Sequence, residues 1–154
     1  MKYKTCVSIG EKNPKKLKII LKKALSKSDF AEIRFDYLKK SDIPIVLENS
    51  KKSLSRCVCT SRPKSEGGLF IGKEDERKSI LRLIAEYNPF LLDVEFNTLK
   101  KDQKLRQYLK KSKTVILVSW HDFKKTPNIK KLNSTLKEMR KFSNHVKIVT
   151  VVMV

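Results

Sequence analysis

The sequence lacks the features that mark membrane-spanning, secreted and disulfide-rich proteins. No apolar run in its 154 residues approaches the roughly 20 residues that span a bilayer, and its first residues lack the apolar core of a signal peptide. The three cysteines are an odd number, and Cys57 and Cys59 form C-x-C rather than the C-x-x-C of zinc and redox sites. We therefore expect a cytoplasmic protein in which this pair fills a core.

Glycine and acidic residues are also scarce. Only Gly10 follows the first predicted strand, without the G-x-G-x-x-G pattern, so a dinucleotide site has little support. Lysine and arginine number 36 against 16 acidic residues, a formal charge of +20. Most of the excess is lysine spread along the chain without interleaved arginine and aromatic residues, which predicts a solvated surface. A basic nucleic-acid-binding domain stays open as an alternative.

Hydrophobic periodicity predicts strands that alternate with helices. The pattern is β-α five times and then a sixth strand, which is typical of a parallel sheet covered by helices in one domain over residues 1–154. An open doubly wound sheet and a barrel both fit. The apolar run 115–118 is expected to be buried on both faces. The predicted strands cover 3–9, 30–37, 56–61, 90–96, 114–120 and 146–154, and the predicted helices cover 14–25, 42–50, 74–87, 101–111 and 128–142.

Polar side chains recur at the carboxyl ends of these strands, where barrel enzymes gather their chemistry. A lysine in a buried strand is a nucleophile toward ketones, and a nearby histidine exchanges protons at neutral pH. The pattern therefore favours imine chemistry between Lys147 and a carbonyl, with His121 as the proton carrier. The residues at these ends are Ser8, Glu32, Arg34, Arg62, Asp93, Glu95, His121 and Lys147.

Structural explanations for these residues stay open on the sequence alone. Arg34 could join an ion-pair network with Glu32, Asp36 or Glu95. His121 could cap the loop that follows its strand, and Lys147 could lie at the exposed start of its own strand.

Six short motifs in chain order resemble those of the type I 3-dehydroquinate dehydratases of the shikimate pathway. Each motif alone is modest, but the six together span nearly the whole chain in the family's order. They are Val7-Ser8-Ile9, the E-x-R-x-D of Glu32 to Asp36, Arg62 with Glu66-Gly67-Gly68, the D-x-E of Asp93 to Glu95, the S-x-H-D-F-x-x-T-P of Ser119 to Pro127, and Val146-Lys147-Ile148.

The resemblance implies a (β/α)8 TIM-barrel enzyme, a lyase of aromatic amino acid biosynthesis. Lys147 would form a Schiff base with 3-dehydroquinate, His121 would move protons, and Glu66 would orient His121. The resemblance also implies a homodimer, no metal and no organic cofactor, because the imine is the electron sink. The substrate-positioning residues that it implies are Ser8, Glu32, Arg34 and Arg62.

The chain is short for this family. A complete barrel needs eight strands and about 250 residues, whereas the pattern here gives an incomplete barrel of about six parallel strands and five helices. We therefore expect a chain truncated at its C-terminus, without the arginine, serine and glutamine of the last two strands, and weakly active or inactive. An inactive remnant and another Schiff-base barrel enzyme, such as a class I aldolase-like protein, are the other readings.

Overall fold

A computed structural model describes residues 3–151 and contains one sheet of six parallel strands in sequence order. Six α-helices cover one face of the sheet, and together they form an open half-barrel. The predicted last strand extends to residue 154, and its residues 152–154 lie outside the described range. The strands are β1 (Cys6–Ile9), β2 (Phe30–Arg34), β3 (Cys57–Thr60), β4 (Leu91–Glu95), β5 (Ile116–Asp122) and β6 (His145–Thr150). The helices are α1 (Pro14–Leu25), α2 (Ile43–Ser50), α3 (Glu74–Glu86), α4 (Phe96–Lys101), α5 (Gln103–Lys111) and α6 (Ile129–Met139).

Local sequence explains where the first helix begins. The Asn13 side chain accepts hydrogen bonds from the backbone N–H groups of Lys15 and Lys16, and Pro14 occupies the first turn, where its missing N–H matters least. The buried face of α1 carries Leu17 and Leu21 at helical spacing. The predicted bounds of this helix are therefore confirmed.

Two predicted elements were wrong, and polar side chains explain both. The second strand was predicted to reach residue 37, but it ends at Arg34 because a 3-10 turn at 35–37 directs Asp36 back toward Arg34. One helix was predicted between β4 and β5, but there are two. Asp102 breaks the run and caps α5 by accepting from the Leu105 N–H at 2.8 Å, so the helices number six rather than five.

The two faces of the sheet have opposite chemistry. The helix-facing side is apolar and fully buried, and it includes Ala31, Ile33, Cys57, Cys59, Leu92, Val94 and Val118. The prediction that both cysteines of the C-x-C pair are core residues is thus confirmed. The opposite, concave face carries charged and hydroxyl side chains, because strand residues two apart share a face. This concave face is the inner wall of the half-barrel.

The concave face is open to solvent at its outer strands. Within residues 3–151, β1 pairs only with β2, and β6 pairs only with β5. The expectation that residues 115–118 are buried on both faces was wrong: Val115 precedes the strand and is 44% exposed, Ile116 and Leu117 are half-buried, and only Val118 is fully buried. In this range no helix is long and apolar enough to cross a membrane.

Candidate active site

Lys147 lies on the concave face of β6, beside Ser119 in the register of β5 and β6. Its Nζ donates a hydrogen bond to Asp93 Oδ2 at 2.6 Å, and its side chain is 34% exposed. Lys147 is thus neither at a free strand start nor in the dry interior that the imine hypothesis assumes. Since His121 is two residues beyond Ser119, it points to the same face as Lys147.

His121 is paired with Glu66. The distance from His121 Nδ1 to Glu66 Oε2 is 3.1 Å, and the two side chains are only 8% and 7% exposed. The other carboxylate oxygen of Glu66 accepts from Asn97 Nδ2 at 3.4 Å. The Phe123 ring stacks on the imidazole with centroids 5.8 Å apart. Because Nδ1 faces a carboxylate, the Nε2 atom is the one left to exchange protons with a substrate.

The loop that carries Glu66 is held by two glycines. Gly67 has a φ of 77°, in the left-handed region, and ends the short 3-10 turn of residues 64–66. A Cβ at Gly68 would lie 2.0 Å from the Arg62 carbonyl oxygen, so only glycine fits there. Asp36 accepts from the Leu69 N–H at 3.0 Å and ties the loop to the end of β2. These contacts fix Glu66 before any ligand arrives.

A cluster of four buried charges lies beside Lys147, and we refer to Arg62, Arg77, Asp93 and Glu95 as the central charge cluster. Arg62 donates to Asp93 Oδ2 at 2.6 Å, to Glu95 Oε1 at 2.9 Å and to the Ser119 hydroxyl at 2.6 Å. Ser119 in turn donates to Asp93 Oδ1. No member of the cluster is more than 4% exposed.

Arg77 links this cluster to helix α3. Its guanidinium is fully buried and donates to Glu95 Oε2 at 2.5 Å, to the Ser61 carbonyl at 2.9 Å and to Glu74. It also donates to the Thr98 hydroxyl at 2.7 Å. Two arginines therefore share one carboxylate, which is how a charged group of this kind is accommodated in an interior.

The two carboxyls of the cluster are perturbed in opposite directions. Burial raises the pKa of Asp93, but the charges of Arg62 and Lys147 outweigh burial, and the net effect holds the pKa below its ordinary value. For Glu95, burial dominates over Arg77 and Arg62 and raises the pKa to about 7. Asp93 is consequently the permanent negative charge next to the lysine.

The remaining predicted residues lie on the edge strand β1 and on its neighbour β2. Glu32 accepts from the Ser8 hydroxyl at 2.7 Å and from the Thr60 hydroxyl at 2.6 Å. Arg34 makes a bidentate ion pair with Asp36 at 2.9 and 2.7 Å, which is one of the partners left open for it on sequence. Asp122 caps the loop after β5, since it accepts hydrogen bonds from the backbone N–H groups of Lys124 and Lys125.

Residues predicted to act together thus fall into three groups: the His121–Glu66 pair, Lys147 with the central charge cluster that includes Arg62, and the pairs that Glu32 and Arg34 make with their neighbours.

Sequence reasoning missed Arg77 and Asn97. Arg77 had a signal, because it stands three residues before Ile80 on the apolar face of α3, where an arginine needs a partner. Among residues 3–151 no group of three His, Cys, Asp or Glu side chains is arranged to hold a metal ion.

Comparison with known proteins gives one consistent result. Residues 5–153 match the family model for type I 3-dehydroquinase. A 3-dehydroquinate dehydratase of Desulfotalea psychrophila is 32% identical over 139 residues, which is 89% of this chain and 59% of that protein. One from Methanocaldococcus jannaschii is 31% identical over 82% of this chain and 57% of its own length. The solved 3-dehydroquinate dehydratase of Enterococcus faecalis superposes with a TM-score of 0.82 at 25% identity, covering 96% of this chain and 65% of that one.

The chain therefore spans about three-fifths of the length of these two curated relatives. The comparisons confirm the predicted family and the partial TIM-barrel fold, and they favour none of the alternative readings.

Proposed function

Because the chain belongs to the type I 3-dehydroquinase family, we propose that its concave face is the imine-forming part of a 3-dehydroquinate dehydratase active site. The observation that carries the proposal is the placement of Lys147 and His121 on one face of the adjacent strands β6 and β5, with His121 paired to Glu66. Lys147 is the nucleophile, His121 is the general acid and base, and Glu66 orients His121.

The first step forms the electron sink. The Lys147 ammonium gives up one proton and its amine adds to the ketone carbon of 3-dehydroquinate; the carbonyl oxygen then leaves as water with that proton and a second one from the nitrogen, which gives an iminium. The positive nitrogen then acidifies the adjacent C–H bond, because the electrons released there are delocalised into the C=N bond. No metal or organic cofactor is required in this proposal, since the lysine itself supplies the sink.

The second step is a proton relay at His121. Nε2 takes the proton from the carbon beside the iminium while Glu66 holds Nδ1 at 3.1 Å. The same nitrogen then protonates the departing hydroxyl, which leaves as water, and hydrolysis of the iminium releases 3-dehydroshikimate. Glu66 stabilises the imidazolium that exists between the two transfers.

Four further residues position the ring in this proposal. Ser8 lies on the edge strand β1, and Glu32 and Arg34 lie on its neighbour β2, where hydroxyl and charged groups can exchange their present partners for substrate hydroxyls. Arg62 is buried, and its terminal nitrogens donate to Glu95, Ser119 and Asp93. In this proposal it positions the substrate through these partners as well as by direct contact with the substrate. We further propose that the protein works in the cytoplasm and forms a homodimer.

Borohydride trapping tests the proposal. The protein incubated with 3-dehydroquinate and sodium borohydride should gain a covalent adduct on Lys147, detected by peptide mass spectrometry. The Lys147→Ala variant should gain none, and the control Lys113→Ala, which removes an exposed lysine, should behave like the parent protein. Absence of an adduct on Lys147 in the parent protein would reject the imine role.

A further inference from the structure

Lys147 has a dedicated counter-ion that the reaction scheme above does not use. Among the described residues, Asp93 is the carboxylate in contact with Lys147 Nζ, at 2.6 Å, and its side chain is fully buried on the central strand β4. We propose that Asp93 positions the Lys147 amine and remains its counter-ion while the imine forms. This inference rests on the proposed function, because it assigns a task to the neighbour of the reacting lysine.

The carboxylate is held rigidly from both of its oxygens. Oδ2 accepts from Arg62 at 2.6 Å as well as from Lys147, and Oδ1 accepts from the Ser119 hydroxyl. Arg62 is itself fixed on Glu95, at 2.9 Å. A buried carboxylate with three donors has one orientation, so the amine that it binds has one orientation as well.

Among the described residues, the neighbouring Glu95 makes no hydrogen bond to Lys147 and binds the two arginines instead. Both of its oxygens are engaged, Oε1 by Arg62 and Oε2 by Arg77 at 2.5 Å. The position of the Lys147 amine therefore depends on Asp93, and the rest of the central charge cluster holds Asp93 in place.

Charge conservation explains why a permanent counter-ion suits this chemistry. Overall, the ammonium and the ketone give an iminium and water: two protons leave the nitrogen with the carbonyl oxygen, and the nitrogen keeps its positive charge. The interior beside β4 holds the same net charge before and after the step, so no uncompensated charge has to be buried. Because Arg62 shares Oδ2, Asp93 stays ionised even when the amine is transiently neutral.

The test replaces Asp93 with its neutral isostere in the 154-residue chain. In Asp93→Asn, the borohydride-trapped adduct of Lys147 with 3-dehydroquinate should fall about tenfold or more, as expected for loss of a charge-assisted contact. Asp75→Asn removes an equal charge from an exposed site and should trap like the parent protein. A parent-like adduct yield in Asp93→Asn would overturn the inference while the proposed function stands.

A second readout needs no substrate. Acetylation of Lys147 by N-hydroxysuccinimidyl acetate, followed by mass spectrometry, should become about threefold or more faster in Asp93→Asn, because the ion pair protects the amine. Acetylation of Lys78, which is 18% exposed and paired with Asp75 and Asp102, should not change, which reports on an intact fold. Unchanged acetylation of Lys147 in Asp93→Asn would overturn the inference. Absence of an adduct with 3-dehydroquinate in the parent protein would instead reject the proposed function, and the acetylation rates would still test the contact between Asp93 and Lys147.

Asp93→Asn can fail to fold, because it leaves Arg62 short of a partner. Ser119→Ala then replaces it, since it removes the hydrogen bond to Oδ1 and one acceptor of Arg62 but leaves every charge of the cluster in place. Its effects should be smaller and in the same two directions, with less adduct and faster acetylation. If Ser119→Ala matches the parent protein in both measurements, Asp93 is not held in the way we propose.

Discussion

The charged side chains of the concave face differ between the middle of the half-barrel and its two sides. On the central strands, Asp93 and Glu95 are at most 1% exposed and fully paired. On the outer strands, Ser8 is exposed and Lys147 keeps a third of its side chain in solvent. The middle of the site is therefore already in a low-dielectric environment, whereas its sides are still hydrated.

This difference teaches which part of the site the fold itself organises. The central charge cluster is enclosed by α3 and α4, which contribute Arg77 and Thr98, so helices and strands of the described chain satisfy it completely. The outer residues face the side where β1 and β6 have no further neighbour among residues 3–151. Substitutions in the middle should consequently affect stability, and those at the sides should spare it.

The largest effect is expected for Arg77→Ala. The substitution leaves Glu95 with one arginine in a fully buried site, and breaking a buried ion pair lowers the free energy of unfolding by roughly 3–5 kcal/mol. Urea denaturation followed by circular dichroism measures the change. Arg82→Ala is the control on the same helix, since Arg82 only lies over the Tyr108 ring, and should lower stability by about 1 kcal/mol or less. Equal losses of stability in the two variants would contradict the idea that the central charge cluster stabilises the fold more than an exposed arginine does.

A pH-dependent effect of intermediate size is expected for Glu95→Gln. Folding raises the pKa of Glu95 to about 7. The protonated carboxyl therefore stabilises the folded protein fully below pH 4.5, and this stabilisation is lost as the pH rises through 7. Glutamine cannot ionise. As the pH rises across this range, the free energy of unfolding of the variant should therefore increase relative to that of the parent protein by up to about 3 kcal/mol. Denaturation of both proteins at pH 4.5, 6 and 8 tests this. A difference that does not vary with pH would show that burial does not perturb this carboxyl.

The smallest effect is expected for Ser8→Ala at the outer strand β1. Its hydroxyl is exposed and donates to Glu32, so the free energy of unfolding should change by about 0.5 kcal/mol or less. Thermal denaturation measures it beside Arg77→Ala. A loss above about 2 kcal/mol would mean that contacts on the edge strand β1 stabilise the fold as much as those of the central charge cluster, which would contradict the difference described above.

Much of this fold follows from local patterns in the sequence. The six strands alternate with helices as the periodicity predicts, and Pro14 and Leu25 bound α1 as expected. The short 3-10 turn after Arg34 and the break at Asp102 were missed, because each depends on one side chain that folds back onto the backbone or a neighbour. Such local hydrogen bonds compete with regular structure without changing the hydrophobic pattern.

The candidate site was harder to predict than the fold. Strand ends identified His121 and Lys147, but which partners they contact depends on strand curvature and register, which periodicity does not contain. Asp93 was identified as a strand-end residue and as part of a D-x-E motif but was given no role, and its contact with Lys147 joins residues 54 positions apart. Long-range pairings of this kind are set by tertiary packing rather than by local sequence.

The buried C-x-C pair also has a practical consequence for spectroscopy. Burial raises the pKa of Cys57 to about 12 and that of Cys59 well above its usual range, so neither thiol is a ready nucleophile. Among residues 3–151, Cys6 lies on β1, one of the two edge strands of the sheet; partial burial raises its pKa as well, but it is exposed to reagents, unlike the other two thiols. A maleimide dye will therefore label Cys6 selectively without mutagenesis, and its fluorescence will report any polypeptide that docks along that edge.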